Sequence, residues 1–273
     1  MNYRHIYHAG NFADVFKHWI LTLLLEKLIQ KTTRFFVLDT HAGLGSYDLQ
    51  HLNAQKTLEQ DSGIKQLAQH KLADDFMAYY NIVTQNNPLL AFYPGSPKII
   101  QHYLRATDKL FAAELHPEDF LVLQANFNDD KRIKVLNQNG YQAMKALLPP
   151  AEKRGLIFID PPFEITDEFA QIIAALNTAL KRFSHGIYAI WYPIKDRAAV
   201  EKFYIQMASL PITKAFYIEL HANALILNQL NSCGILIVNP PWQLEQTLMN
   251  NMPKLIEYLN FTRGTFRLKW LTI

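Results

Sequence analysis

The chain has 273 residues, 49% of them hydrophobic and 19% charged, with 27 Lys and Arg against 24 Asp and Glu for a net charge of +3. That balance excludes a disordered tail, and the length suits one large α/β domain or two small ones, enough to bury a full core. The single cysteine, Cys233, excludes an internal disulfide framework and suits a reducing cytosol, so a cytoplasmic protein is expected.

At the N-terminal end, Phe12, Phe16, Trp19, Ile20, Leu23, Leu24 and Leu28 recur at helical spacing behind Asn11, a candidate N-cap. The apolar run 19–25 imitates a signal peptide. Charges flank it closely, no small-residue cleavage site follows, and it is too short to span a bilayer, so it reads as an amphipathic helix of a soluble protein. His5 and His8 suggest a metal pair, but no further ligands stand at zinc-like spacing, and no metal is expected.

A first strand candidate, 34–38, runs into LDTHAGLG (38–45), where Gly43 and Gly45 would let the backbone approach a ligand. The third glycine of a dinucleotide fingerprint is missing, so this turn alone does not specify a cofactor. Residues 49–92 are polar and helical in pattern, and read as a small helical subdomain inserted in a single domain spanning 1–273. Ser96 before Pro97 reads as an N-cap with proline at the first helical position.

Further strand candidates at 110–113, 133–136, 156–159, 186–191, 215–219, 234–238 and 265–271 alternate with helical patterns. That rhythm predicts βαβ units and a mostly parallel sheet of Rossmann-like type, which binds ligands at the carboxyl ends of its strands. Glu114 ends the second strand, where an acid would hold the ribose hydroxyls of a nucleoside cofactor. Asn139 and Gly140 follow the third, as an ordinary turn or as a contact to an adenine edge.

The fourth strand ends in Asp160, Pro161, Pro162 and Phe163. Two prolines stiffen the loop and hold the preceding residues extended. Asp160 and a loop carbonyl can then point at one small donor such as an NH₂ group, with Phe163 placed to stack on the ring that carries it. The run ILIVNPPW (235–242) imitates this pattern, but it comes last among the sheet strands. Asn239 is therefore read as part of a structural loop that helps start the final helix.

YRHIYHAGNFADVFKH (3–18), LDTHAGLGSY (38–47), YPGSP (93–97), ELHP (114–117), IDPPFE (159–164), GIYAIWYP (186–193) and NPPW (239–242) together resemble the RlmJ family of bacterial 23S ribosomal RNA adenine-N(6) methyltransferases. The resemblance covers nearly the whole chain. It implies a class I S-adenosylmethionine-dependent fold with a mostly parallel seven-stranded sheet and an inserted helical subdomain, in a monomer acting on naked or partly assembled RNA. It also implies cofactor contacts from His18, His41, Gly43, Ser96, Glu114, Asn139, Gly140 and Asp160, with Asp160 the catalytic acceptor, and RNA contacts from Tyr3, His5 and Lys17. The family commonly has Asp in place of Asn139 and Tyr in place of Phe163.

The chemistry implied is in-line methyl transfer to an adenine amine whose lone pair is delocalised. Hydrogen bonds from its N–H groups to Asp160 and a carbonyl would favour a tetrahedral nitrogen. Positioning of this kind supplies roughly 7–11 kcal/mol. Drawing the adenine out of its stack costs a few kcal/mol, so RNA contacts are needed. Arg4, Lys17, Lys181, Arg182, Lys195, Arg197, Arg263, Arg267 and Lys269 are the candidate phosphate contacts. A DNA adenine-N(6) methyltransferase is the nearest alternative, although the insertion is small for a target-recognition domain. A nicotinamide-dependent oxidoreductase fits the turn poorly, and a non-catalytic RNA-binding module leaves the DPPF loop unexplained.

Overall fold

Alternation along the central strands decides the architecture of this protein. The computed structural model describes residues 4–222 and 230–272. In chain order the strands are β1 (Phe36–Asp39), β2 (Ser46–Asp48), β3 (Phe92–Pro94), β4 (Lys109–Ala113), β5 (Ile133–Leu136), β6 (Gly155–Ile159), β7 (Ile187–Pro193), β8 (Ala215–His221), β9 (Ser232–Val238) and β10 (Thr265–Thr272). The helices are α1 (Phe12–Ile29), α2 (Leu52–Thr57), α3 (Ile64–Leu67), α4 (Asp74–Thr84), α5 (Ser96–Tyr103), α6 (Pro117–Phe127), α7 (Gly140–Leu147), α8 (Glu168–Arg182), α9 (Arg197–Ala208) and α10 (Leu244–Tyr258). In β1 and β6, Val37, Leu156 and Phe158 enter one core, with α1, α5 and α10. Leu38, Ile157 and Ile159 enter the other, with α7, α8 and α9. Strands buried on both faces read as unbroken apolar runs, as these do.

The main sheet has the order β10-β8-β9-β7-β6-β1-β4-β5. β5, β4, β1, β6 and β7 are parallel, while β9 runs antiparallel to both β7 and β8, and β10 antiparallel to β8. The eight apolar runs read as strands all join this sheet, which has one strand more than the seven the resemblance implies. The outermost, β10, pairs with β8 at the edge, with Trp270 packed edge-on against Phe216.

Residues 49–91 leave and return through a short antiparallel ladder in which Ser46, Tyr47 and Asp48 pair with Pro94, Tyr93 and Phe92. They contribute α2, α3 and α4. α4 packs on α1, where the Trp19 ring stacks on Phe76 at 4.6 Å and the indole Nε1 donates to the Asp75 carbonyl at 2.9 Å. Covered by α4, α5 and α10 as well as the sheet, α1 is buried all round, not on one face as an amphipathic helix would be. Every residue from Phe12 to Leu25 is buried, including Asp14, Lys17, His18 and Thr22. Its start is as expected, with the Asn11 side chain accepting from the Asp14 N–H at 2.9 Å. Among the described residues no helix is long and apolar enough to cross a membrane.

Candidate active site

A cavity of about 1030 Å³ opens at the carboxyl ends of the parallel strands. Of the residues singled out in the sequence, His5, Lys17, His18, His41, Gly43, Ser96, Glu114, Asn139, Gly140, Asp160, Pro161 and Pro162 all line it. Tyr3 lies outside the described residues.

The turn after β1 explains its glycine. Gly43 has φ +60°, and a Cβ there would sit 2.1 Å from the Tyr47 hydroxyl, so only glycine fits. Its N–H donates to Glu114 Oε2 at 2.9 Å, and the His116 N–H donates to Oε1 at 2.7 Å. Burial raises the pKa of Glu114, which these two amides offset in part. Asn139 caps α7, its side-chain oxygen accepting from the Tyr141 and Gln142 N–H groups at 2.9 and 3.2 Å, which leaves its NH₂ as the group available for a ligand. A Cβ on Gly140 would lie 2.1 Å from the Thr40 carbonyl, so α7 can start this close to the β1 turn only on glycine.

Ser96 is not the N-cap of α5. That position is Gly95, and the Ser96 hydroxyl instead donates to Asp39 Oδ2 at 2.6 Å. Asp39 is fully buried, and burial pushes its carboxyl up to about 7. His18 and His41 are pushed down to about 3 by burial, so both are neutral at physiological pH. His18 is fixed by the Tyr93 hydroxyl, 2.8 Å from Nδ1.

Lys17 departs most from expectation. Rather than facing RNA, it is buried, with its ammonium 2.6 Å from Asp160 Oδ2 and 2.7 Å from Asp14 Oδ1. Burial opposes the charge, but the two carboxylates outweigh it and raise the lysine pKa. Asp14 in turn lies 3.0 Å from His5 Nε2 and accepts from the Gly10 N–H at 2.8 Å. Burial disfavours the Asp14 charge too, yet His5 and Lys17 hold its pKa well below the ordinary value. A chain His5–Asp14–Lys17–Asp160 thus ends on the carboxylate of the DPPF loop. Spacing three apart places Asp14 and Lys17 on one face of α1. Their meeting with Asp160 depends on tertiary packing, and local pattern carries no sign of it.

Phe163 does not line the cavity. Its φ of +50° turns the ring toward the core, edge-on to Phe169 at 5.0 Å and to Trp191 at 6.1 Å. Trp191 on β7 does line the cavity, as do Tyr47 and Tyr141, and Lys17 Nζ lies 5.4 Å from the Trp191 ring centre. The similar NPPW run lies at the other end of the sheet. Because β9 is reversed, Val238 pairs with Tyr188 at the start of β7. Asn239 there donates to the Ser184 and Gly186 carbonyls at 2.8 and 2.7 Å.

The candidate phosphate contacts divide in the same way. Lys195 lines the cavity. Arg4 pairs with Glu118 and Asp119, Arg197 with the fully buried Glu219, and Arg267 with Glu201. Lys181 and Arg182 end α8 on the face away from the cavity.

A parallel sheet with a reversed strand beside β7, a glycine turn after β1, an acid after β4 and an Asp-Pro-Pro loop after β6 define a class I S-adenosylmethionine-dependent methyltransferase. The family described as "Ribosomal RNA large subunit methyltransferase D, RlmJ" matches residues 32–272. The chain is 38% identical to the ribosomal RNA large subunit methyltransferase J of Haemophilus influenzae, over 100% of this chain and 99% of that one. It is 39% identical to its namesake in Escherichia coli, over 93% and 92%. A crystal structure of a Legionella pneumophila protein, 38% identical, superposes with a TM-score of 0.90 over 96% of this chain and 98% of that one. The chain belongs to the RlmJ family of ribosomal RNA large subunit methyltransferases.

Proposed function

We propose that the protein, as one domain over 1–273 with 49–92 as an inserted subdomain, methylates N6 of a specific adenine in 23S ribosomal RNA, acting as a monomer on free or partly assembled RNA. The observation that carries this reading is Asp160, a carboxylate at a strand end beside two prolines, with one oxygen held by Lys17 at 2.6 Å. The second oxygen is then the acceptor for an adenine N–H.

The residues fit S-adenosylmethionine. Gly43 and Gly140 let the β1 turn and the start of α7 close up at the cavity wall, and Glu114, the Asn139 NH₂, His18, His41 and Ser96 offer polar groups around it. At about 1030 Å³ the space exceeds what a single small ligand needs, which suits a cofactor and a flipped base together. When bound, the cofactor supplies an electrophilic sulfonium methyl. Asp160 orients the amine and draws on its N–H, so that the nitrogen lone pair faces the methyl group, and the proton can leave after transfer. Trp191 offers a surface for the adenine ring, and Phe163 packs edge-on against Trp191. His5 supports Asp14 and Lys17 and thereby the geometry of Asp160.

The test is incorporation of label from S-adenosylmethionine into protein-free 23S ribosomal RNA and, in parallel, into duplex DNA, with digestion of the products to nucleosides. N(6)-methyladenosine from RNA alone is the expected result. Label in DNA alone, or a modified base other than adenine, overturns the proposal.

A further inference from the structure

Charge is distributed very unequally between the two ends of the sheet. The loops that enter the strands opposite the cavity (residues 30–35, 104–109, 128–132, 149–154, 181–186, 209–214 and 239–243) hold 11 Lys and Arg against 4 Asp and Glu, a net of +7. With +3 for the whole chain, the remainder carries −4. Acids crowd the cavity side, among them Glu114, Asp119, Glu164 and Glu168. A polyanion therefore meets repulsion at much of the mouth and attraction at the far end.

The far end is also where the NPPW loop sits. Trp242 is 84% exposed there. Asn239 fixes the loop among basic segments, since its side chain holds the Ser184 and Gly186 carbonyls and its N–H donates to the Lys214 carbonyl at 2.8 Å. His185 reaches the Lys153 carbonyl at 2.9 Å, and Arg182 reaches the Lys145 carbonyl. Lys153, Lys181, Arg182, His185 and Lys214 are all exposed around this loop. Arg105 and Arg132 on the same face are neutralised by Asp108 and Asp130. Among the described residues, by contrast, Lys153, Lys181 and Lys214 form no ion pair.

We infer that this face, built around Trp242, Lys153, Lys181, Arg182 and Lys214, is a second RNA-binding surface that takes single-stranded or loop RNA. The lysines contact phosphates and the exposed indole stacks on a base, the combination of positive groove and aromatic platform that sequence-tolerant binding requires. An apolar platform alone would serve any partner, and the net +7 selects a polyanion. The inference rests on the proposed RNA substrate and deepens it. A large RNA held at the far end supplies attraction that the cavity side lacks, whereas a short stem that occupies only the cavity gains nothing from it.

The test compares the full-length protein with the Lys153→Gln/Lys181→Gln/Lys214→Gln variant and with Trp242→Ala. Circular dichroism checks that both fold as the parent does. A labelled uridine 12-mer is titrated at several salt concentrations, and methyl transfer is followed on a short adenine-bearing stem and on protein-free 23S ribosomal RNA. The triple variant should bind the 12-mer more weakly, with the slope of log K against log salt reduced by about two. Trp242→Ala should lose about tenfold in affinity. Both should leave kcat on the short stem unchanged and raise KM on the long RNA. Unchanged 12-mer affinity and slope overturn the inference, as does binding of anionic phospholipid vesicles through these residues with RNA binding unaffected. If the parent binds the 12-mer through this face yet methylates no RNA, the proposed reaction fails and the surface stands.

Discussion

Lys17 carries the most consequence of any single side chain. Its ammonium sits between Asp14 and Asp160 in a buried position, and removing one partner of a buried ionic group typically costs about 3–5 kcal/mol because the other charges stay behind. Lys17→Met should therefore lower the stability measured by urea unfolding by an amount of that order. At saturating RNA, kcat should fall by about a hundredfold or more, the effect of some 3 kcal/mol lost from the transition state, while S-adenosylmethionine affinity measured by calorimetry changes little. Intact turnover would mean that Asp160 needs no cation to hold it. Asp39 provides a second test. Burial lifts its carboxyl from 3.8 to about 7, so between those values the folded protein keeps a proton that the unfolded chain has lost. Stability contributed at this site accordingly falls as pH rises through the window. Asp39→Asn keeps an acceptor for the Ser96 hydroxyl and removes the titration. Between pH 5 and 7 the variant should gain on the parent by up to a few kcal/mol, at about 1.4 kcal/mol for each step of one in pH. His18 and His41, both pushed down to about 3, act in the opposite sense in parent and variant alike and cancel in the comparison.

At the scale of elements, the strand ends were legible in the sequence because each carries its own local signature. Apolar runs closing on Gly43, Glu114, Asn139 and Asp160 do converge on one cavity. Strand direction was not legible. ILIV before NPPW and GLIFI before DPPF have the same apolar character, and only the pairing of β9 with β7 and β8 shows that one is reversed. The burial of α1 was missed for a related reason: its second apolar face is matched by α4, which lies in the insertion and beyond the reach of local periodicity. The start of α1 also joins the insertion to the site. Asn11 caps the helix at the Asp14 N–H and donates to Glu59 Oε2 at 2.9 Å. Asn11→Ala removes both bonds, and a lost cap costs about 1–2 kcal/mol. Thermal unfolding should show a midpoint a few degrees lower, and because Asp14 and Lys17 ride on the first turns of this helix, kcat should fall as well. A variant with the parent's midpoint would mean that the insertion and sheet hold α1 without its cap.

For the whole molecule, the division of charge concerns the cofactor as well as RNA. S-adenosylmethionine carries one more positive charge than the S-adenosylhomocysteine left after transfer. The part of the chain outside the far-end loops has a net charge of −4 and presents Glu114, Glu164, Glu168 and Asp160 around the cavity. Each ligand meets the same shape, so their affinities should differ in salt dependence because of that one charge. Screening lengths shrink from about 10 Å at 0.1 M to about 3 Å at 1 M salt, and only the cationic ligand has long-range attraction to lose. Calorimetric titrations at 0.05 M and 0.5 M salt should show S-adenosylmethionine weakening a few-fold more than S-adenosylhomocysteine. Equal weakening would place the sulfonium beyond reach of these carboxylates. Product release would then be governed by shape alone, since the loss of charge on transfer would not loosen the cofactor's hold.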